Sequence, residues 1–374
     1  MTEAAVITTA SSRPIASTAM CRLRPFTFFA LSHPRLARGT VSAARTDWES
    51  MMARPCHPNV TCCINPYVVT ELTQVGVASA IAEQWELPEP IGLSDPLNPG
   101  GTADTWLVTD GEGRRYVAKY AYAGRMIFES GLRVSGHVES TTDLRTGSPL
   151  PTPDGRLTTM LRNPIGRPYP LALLRFVEGR AVAPNDGLNV RDAARLLAKV
   201  HYSVASYPGR VSDSVANLEN ESVEVGYEES LGPIIRAAAR TLRELDSITL
   251  GVNYGHRPEA IVCTDGSTGL IDWGSVNRAP LLWDVMRWSD LFREADDRKT
   301  FVDIYRECGP VPACEFEVMD QLAYVRAVHH LRFRAFRVLH SEQHHFTQEH
   351  DRTELIRLAR QFGVAEFRDG ATSA

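Results

Sequence analysis

The first chemistry that this sequence suggests is phosphate binding, and it begins at a glycine turn that enters a predicted hairpin. Gly100 and Gly101 precede Thr102, and a turn without Cβ atoms lets backbone N–H groups approach phosphate oxygens. Lys119 ends the second strand of the hairpin, where its ammonium group can contact nucleotide phosphates. Glu129, in the following predicted helix, is the expected ion-pair partner of Lys119. An ordinary turn beside a solvated lysine is the alternative, but the order of the three features favours a nucleotide site.

A second candidate lies further along the chain at Asp272, inside the segment Gly269–Gly274. The apolar run Ile261–Cys263 and a tight turn precede this segment, so the carboxylate is expected at the end of a strand. A carboxylate in that position suits a hard cation that also bridges phosphate oxygens. Because so short a motif occurs by chance, its assignment depends on the neighbouring segments.

The periodicity of the apolar residues changes along the chain. Residues 1–65 are rich in Ser, Thr, Ala and Arg and have neither helical nor strand periodicity. We expect them to be a dispensable, disordered or wrongly assigned extension, with an organelle transit peptide as the alternative. The predicted strands are Thr105–Thr109, Arg115–Tyr120 and Leu171–Val177. The predicted helices are Val69–Trp85, Gly124–His137, Val190–Val204 and Leu231–Leu245. Strands first and helices later predict two unequal lobes, residues 66–180 and 181–374.

Several segments, in the correct order over about residues 91–290, together resemble the aminoglycoside phosphotransferase and choline kinase family. Ile271-Asp272-Trp273 resembles the metal-binding segment of that family, and Trp283–Met286 resembles the start of the helix that follows it. Leu196–His201 resembles the Leu-Ala-x-Leu-His helix, and Leu173–Gly179 resembles the segment that joins the lobes. Several ordered motifs are far more specific than any one of them.

The resemblance implies an α+β, bilobal, protein-kinase-like fold with a small antiparallel N-lobe and a larger, mainly helical C-lobe. It also implies that Asp272 binds Mg²⁺ at the phosphates of ATP or GTP. Lys119 with Glu129 would hold the phosphates, and the joining segment, including Leu174 and Phe176, would contact the adenine.

The sequence departs from the family at its catalytic loop, which normally reads His-Gly-Asp and, about four residues later, Asn. Here Tyr254 stands at the histidine, His256 at the aspartate, and Ala260 or Ile261 at the asparagine. A neutral His256 can accept the proton of an acceptor hydroxyl. Glu259 is the nearby carboxylate that can replace the asparagine as a metal ligand, and Arg257 can add positive charge. Alternatively, these three residues only pack and pair within an inactive loop.

The composition of the chain indicates small-molecule partners. Its 374 residues carry a formal net charge of −5, without the single-sign surplus expected for nucleic-acid or membrane binding. No apolar run approaches the roughly 20 residues of a membrane helix. Seven cysteines without framework spacing favour a reducing compartment, and we expect the cytoplasm. Cys56, His57, Cys62 and Cys63 lack the second ligand pair of a zinc site and are expected to be unliganded.

The sequence therefore predicts a Mg²⁺-dependent phosphotransferase that moves the γ-phosphate of ATP or GTP to a hydroxyl of a small metabolite, antibiotic or natural product. The alternative, which the altered loop favours, is a catalytically silent kinase-like protein that binds a nucleotide or another ligand. An acidic run between Glu219 and Glu229 could attract a cationic acceptor, although a solvated helix face is the commoner explanation.

Overall fold

The computed structural model describes residues 74–97, 103–122, 125–162, 168–220, 227–245, 247–339 and 348–364. All of them belong to one compact unit, Val69–Ala374. The glycine turn at Gly100, Gly101 and Thr102, the cysteine cluster and the extension of residues 1–65 lie outside the described residues. The predicted lobe boundaries remain a prediction.

The first part of the described chain forms an antiparallel sheet in the strand order β1-β2-β3-β6-β4, with β5 paired to β6. Its strands are β1 (Gly92–Leu93), β2 (Ala103–Thr109), β3 (Arg115–Ala121), β4 (Pro149–Leu150), β5 (Thr159–Arg162) and β6 (Pro168–Arg175). The predicted hairpin is confirmed, with Thr105 opposite Lys119 and Thr109 opposite Arg115. The Asp110 carboxylate accepts hydrogen bonds from the backbone N–H groups of Glu112 and Arg114, which closes the turn.

Two helices pack on this sheet: α1 (Gln74–Trp85) and α2 (Arg125–Thr141). Helix α1 buries Val77, Ile81 and Trp85 in a cluster with sheet residues such as Trp106. Helix α2 places Phe128 and Leu132 in a second cluster with Ala103, Ala121 and Ala172. Burying side chains of this size stabilises the fold by roughly 1.5–3 kcal/mol each, so both helices are held mainly by their apolar faces. We call residues 74–175 the sheet region.

The rest of the described chain, residues 179–364, is the helical region. Its helices are α3 (Val190–Val204), α4 (Ser214–Glu219), α5 (Glu228–Glu244), α6 (Leu282–Ser289), α7 (Ala295–Cys308), α8 (Met319–Leu339) and α9 (Gln348–Gln361). Asn189 caps α3 by accepting a 2.9 Å hydrogen bond from the Asp192 backbone N–H. Most of the largest apolar cluster belongs to this region, with Leu197, Trp288, Leu322 and Leu331 among its buried members.

Two small sheets accompany these helices. One has the order β12-β11-β7-β8 and the other the order β10-β13-β9. Their strands are β7 (Gly179–Pro184), β8 (Gly187–Leu188), β9 (Ser212–Asp213), β10 (Leu250–Asn253), β11 (Glu259–Cys263), β12 (Thr268–Ile271) and β13 (Asn277–Pro280). Residues 254–258 connect β10 to β11, and Asp272 follows β12, so these strands bring the altered loop beside Asp272.

The predicted fold class is confirmed: the fold is α+β, with an antiparallel sheet region followed by a mainly helical region. The predicted helix Val190–Val204 has those bounds in the structure, and the predicted helix Leu231–Leu245 corresponds to α5. None of the described helices is long and apolar enough to cross a membrane.

Candidate functional site

Asp272 lies where β12 ends and a short 3-10 turn, Trp273–Ser275, begins. Its backbone adopts a left-handed conformation, with φ 64° and ψ 67°, which is uncommon for a residue other than glycine. The indole Nε1 of Trp273 donates a 2.8 Å hydrogen bond to the Leu270 carbonyl and anchors the turn. Such conformations concentrate at functional sites, where the surrounding structure holds them in place.

Helix α2 supports this turn through Gly131. A Cβ atom at Gly131 would lie 2.2 Å from the carbonyl oxygen of Trp273, far inside van der Waals contact. Only glycine allows the helix to approach so closely. The turn that presents Asp272 is therefore packed directly against an element of the sheet region.

Lys119 on β3 reaches across to Asp272. Its Nζ lies 2.5 Å from Asp272 Oδ1, and the two side chains are 14% and 30% exposed. Burial raises the pKa of the Asp272 carboxyl, but the positive charge of Lys119 and the hydrogen bond that its ammonium group donates hold the pKa below its usual value. The carboxylate is thus ionised and ready to accept hydrogen bonds or bind a cation at neutral pH.

The expected ion pair between Lys119 and Glu129 is wrong for this structure. Glu129 is held by Arg125 at 2.7 Å, by Arg133 at 3.4 Å and by the Thr158 hydroxyl at 2.6 Å. Both arginines lie four residues from Glu129 on α2, so they reach its carboxylate along the face of the same helix. Lys119 is satisfied by Asp272 instead, and no described contact brings Glu129 to the phosphate side of the site.

The altered loop brings His256 and Glu259 to Asp272. His256 Nε2 lies 4.0 Å from Asp272 Oδ2, and His256 Nδ1 lies 4.0 Å from Glu259 Oε1. One ligand atom from each of the three residues lies within 4.8 Å of the others. The two carboxylates fit Mg²⁺, which prefers oxygen ligands, whereas the imidazole does not. Glu259 and Asp272 are therefore the two residues that can share one hard cation.

The hydrogen bond of His256 favours one tautomer. Its Nδ1 lies 3.0 Å from the carbonyl oxygen of Arg257, which can only accept a hydrogen bond. Nδ1 must therefore carry a proton, and in the neutral ring the lone pair then belongs to Nε2, on the side of Asp272. Arg257 is exposed, and its Nε lies 3.6 Å from Glu259 Oε1, so its charge reaches the site through Glu259.

Tyr254 and Gly255 fix the conformation at the start of the loop. Tyr254 is buried, and its hydroxyl donates to the Ile271 carbonyl, directly before Asp272. Burial raises the pKa of Tyr254 well above its usual value, so the hydroxyl remains a donor. Gly255 has φ +73°, and a Cβ there would lie 2.2 Å from the Ser275 carbonyl oxygen. Tyr254, which stands where the family has a histidine, therefore holds the Asp272 turn in place through its hydrogen bond to the Ile271 carbonyl.

Asp284 at the start of α6 holds the backbone of this loop. Its Oδ2 accepts from the Tyr254 N–H at 2.6 Å, and its Oδ1 accepts from the Gly255 N–H at 3.0 Å. His201 Nε2 lies 3.3 Å from Oδ2, while His201 Nδ1 lies 2.5 Å from the Tyr305 hydroxyl. Asp284 and His201 both lie in family-like sequence segments, but the sequence predicted no role for either residue. A sequence signal for both residues exists: each is a titratable residue that directly follows an apolar one, within a helix that resembles a helix of the family.

The two predicted adenine-side residues lie at the end of the sheet region and directly after it. Leu174, near the end of β6, is opposite Val117 and Pro149 in the sheet, and it is partly buried. Phe176 follows β6, and the guanidinium of Arg115 lies 4.4 Å from its ring centroid. The structure thus brings Lys119, His256, Glu259 and Asp272 together, while Leu174 lies near the end of β6 and Phe176 lies in the connection that leads to β7.

Comparisons with known proteins support the fold. The sequence matches no family profile and no curated protein. Among solved structures, the chain is similar to amicoumacin kinase hAmiN in complex with AMP-PNP, Ca²⁺ and Ami, with a TM-score of 0.57 and 12% identity over 78% of this chain and 93% of that one. A microcompartment-associated aminopropanol kinase has a TM-score of 0.56 and 16% identity, over 76% and 94% of the two chains. A spectinomycin phosphotransferase in complex with ADP and spectinomycin has a TM-score of 0.52 and 12% identity, over 78% and 94%.

The fold is therefore that of the aminoglycoside phosphotransferase and choline kinase-like proteins, and the resemblance seen in the sequence is confirmed at this level. The neighbours are small-molecule kinases and phosphotransferases. At identities of 12–16% the likeness concerns the fold, so the role of each residue in this chain depends on the site geometry.

Proposed function

We propose that this protein is a phosphotransferase that moves the γ-phosphate of ATP or GTP to a hydroxyl of a small metabolite, antibiotic or natural product. One observation carries the proposal: Lys119, His256, Glu259 and Asp272, from three different segments, converge on one place between the sheet and helical regions. Kinase-type sites use an ammonium group and carboxylates to position the phosphates and the metal, and a base to orient the acceptor hydroxyl. Nucleotides in two of the fold neighbours support the same reading.

The acceptor hydroxyl oxygen forms a bond to the γ-phosphorus while the bond from that phosphorus to the β,γ-bridging oxygen breaks, and the electron pair leaves on the diphosphate. His256 Nε2 accepts the hydroxyl proton, since Nδ1 is directed to the Arg257 carbonyl. Lys119 binds phosphate oxygens once a nucleotide competes for its ammonium group, and Arg257 adds positive charge near Glu259.

The divalent cation of this site would be held by Asp272 and Glu259. When bound, Mg²⁺ would neutralise charge on the phosphate oxygens. Asp272 is already ionised, and its second oxygen faces His256 rather than Lys119, so one oxygen can bind a cation while the other keeps the lysine. Residues 66–180 would then supply the nucleotide side, with Leu174, Phe176 and the turn of Gly100, Gly101 and Thr102, and residues 181–374 the acceptor side. The cytoplasm, where ATP is available, is the proposed location.

A silent ligand-binding protein is the second candidate, and the Lys119–Asp272 contact favours it. In an inactive site the lysine would stay on the carboxylate and would not turn its ammonium group to nucleotide phosphates. The two candidates differ in one measurable property. Both can bind a nucleotide, but only the enzyme releases ADP faster when an acceptor is present.

The test of the proposal is substitution of His256 in an acceptor-stimulated ADP-release assay over a panel of hydroxyl-bearing metabolites. His256→Ala should lower turnover by roughly 10²- to 10⁴-fold while leaving nucleotide affinity nearly unchanged. His256→Asp, which restores the residue of the family, should retain or raise the rate. Unchanged turnover in His256→Ala would show that His256 is not the base.

A further inference from the structure

Arg287 on α6 is an anomaly in the helical region. It is only partly exposed, its Nε is fully buried, and this Nε has no hydrogen-bond partner among the described residues. No described carboxylate forms an ion pair with its guanidinium. Burial lowers the pKa of Arg287, and the neighbouring positive charge of Arg326 lowers it further. Guanidinium groups stay protonated in proteins, so this is a partly buried cation that no described carboxylate contacts directly, although Asp284 and Asp290 lie close enough to favour its charge.

A second orphaned donor lies one helical turn earlier. Trp283 is 7% exposed, and its indole Nε1 is buried without an acceptor in the described part of the chain. Because Trp283 and Arg287 are four residues apart on α6, they lie on the same face of the helix. Buried donors almost always find an acceptor in folded proteins. Two neighbouring donors without one indicate that this face is built for an acceptor that the described chain does not supply.

Helix α8 adds further positive charge around Arg287. Arg326 and Arg334 both lie close enough to disfavour the charge of Arg287. His330 accepts a hydrogen bond at its Nε2 from Arg334 Nε, at 3.2 Å. Burial, followed by the charge of Arg334, lowers the pKa of His330 to about 4, so this histidine is neutral at physiological pH. We call Trp283, Arg287, Arg326 and Arg334 the donor cluster.

The nearby carboxylates are already engaged elsewhere. Asp290 lies 2.8 Å from Arg326, and Asp351 pairs with both Arg334 and Arg337. Asp284, one turn before Arg287 on α6, is held by the loop N–H groups and by His201. Arg326 therefore pairs with Asp290 and Arg334 with Asp351, which leaves Arg287 without an ion pair among the described residues.

We propose that the donor cluster binds an anionic group of the acceptor, a carboxylate or a phosphate monoester, through Arg287. The planar guanidinium fork suits both groups because it can donate two parallel hydrogen bonds to their oxygens. The inference rests on the proposed phosphotransferase function, to which it adds the charge of the acceptor. It differs from a cationic acceptor, which the acidic run between Glu219 and Glu229 suggested; both of these end residues are exposed.

The position of Arg287 connects the donor cluster to the chemistry. Asp284 and Trp288, on the same helix, hold the altered loop: Asp284 binds the Tyr254 and Gly255 N–H groups, and Trp288 Nε1 donates to the His256 carbonyl at 3.0 Å. Arg287 lies between these two contacts along α6, within about one helical turn of 5.4 Å from each. The anionic group of the proposed acceptor would therefore bind the same helix that holds the loop of His256.

The test uses the full chain with saturating AMP-PNP and Mg²⁺, and follows the binding of succinate and of inorganic phosphate by calorimetric titration. At least one anion should bind, and Arg287→Met should weaken it by about tenfold or more, as expected for the loss of a charge-assisted pair. Arg287→Lys should fall between the two. Arg293→Met, which removes an exposed arginine close in sequence, should leave anion affinity unchanged. The preferred probe distinguishes a carboxylate from a phosphate monoester.

Thermal unfolding separates a ligand-binding role from a structural one. If Arg287 serves a ligand, Arg287→Met should raise the melting temperature without ligand, because an uncompensated charge is removed. A fall in melting temperature together with unchanged anion affinity would assign Arg287 to folding and overturn the inference. Absence of binding for both anions, or choline binding that Arg287→Met leaves unchanged, would also overturn it.

The two proposals fail in different ways. Intact AMP-PNP binding with no anion binding would remove the inference and leave the phosphotransferase proposal standing. Arg287-dependent anion binding without any AMP-PNP binding would remove the phosphotransferase proposal while keeping the anion site. Acceptor-dependent ADP release that is restricted to anionic members of the metabolite panel, and is lost in Arg287→Met, would support both.

Discussion

Asp272 and Asp284 are both carboxylates of the helical region that touch the altered loop, yet their surroundings differ. Asp284 is 1% exposed, and both of its oxygens accept hydrogen bonds from the loop backbone. The Asp272 side chain is 30% exposed and faces a lysine ammonium and a histidine, which are groups that a ligand or cation can displace. A carboxylate whose acceptor capacity is used by the backbone is a positioning residue, whereas one that faces movable charges is available for chemistry.

The largest effect should come from Asp272→Ala. Removing the carboxylate takes away the partner of Lys119 and one of the two oxygen ligands for a cation, so acceptor-stimulated ADP release should fall by at least about 10³-fold. The melting temperature should fall, but less than in Asp284→Ala, because Lys119 loses its ion-pair partner while the Asp272 side chain is partly exposed. Stopped or continuous assays of ADP release measure the first effect, and calorimetry the second.

Asp265→Ala is the matched control, because Asp265 lies in the turn between β11 and β12 and is exposed. It should keep nearly the wild-type rate. Equal losses in the two variants would mean that the strand pair, rather than the Asp272 carboxylate, supports activity.

Asp284→Ala should instead affect folding. It would leave the Tyr254 and Gly255 N–H groups and His201 without their buried acceptor, and we expect a loss of about 3–5 kcal/mol in the free energy of unfolding. Equilibrium denaturation in urea measures this difference. Asp303→Ala, which breaks an exposed pair with Lys299 on α7, should change stability little. A fully stable Asp284→Ala protein would contradict the positioning role.

The smallest expected effects are the stability changes caused by alanine at two glycines of α2, Gly131 and Gly136. Gly131→Ala forces the helix away from the Trp273 carbonyl and should cost about 1–3 kcal/mol, because the contact is with backbone that cannot rotate away. Gly136→Ala meets only the Pro149 ring at 4.0 Å, and it should stabilise the helix by roughly 0.5–1 kcal/mol. Opposite shifts in melting temperature are expected, and Gly131→Ala alone should weaken Mg²⁺-dependent nucleotide binding. Equal behaviour of the two variants would show that α2 does not support the Asp272 turn.

The order of the main strands and helices, and the types of side chain available for a site, could be predicted from the sequence. The alternating apolar residues of Thr105–Thr109 and Arg115–Tyr120 predicted the hairpin, and the helical periodicity of Val190–Val204 predicted α3. Both succeed because local periodicity reports which face of an element is buried. The ordered motifs around Asp272 and Leu196–His201 predicted the fold, since a combination of motifs constrains topology more than any one of them.

Which charged groups form ion pairs depends on the fold and could not be predicted from the sequence. Lys119 and Asp272 are 153 residues apart in the chain, and their contact requires that β3 and β12 reach the same junction. Glu129 was a sound partner by spacing, but two arginines on its own helix and Thr158 take its carboxylate. The unpartnered state of Arg287 is likewise invisible in the sequence, because it depends on Asp284, Asp290 and Asp351 being engaged elsewhere. Ion pairs at short range act across space rather than along the chain, so a sequence supplies the candidates and the fold selects among them.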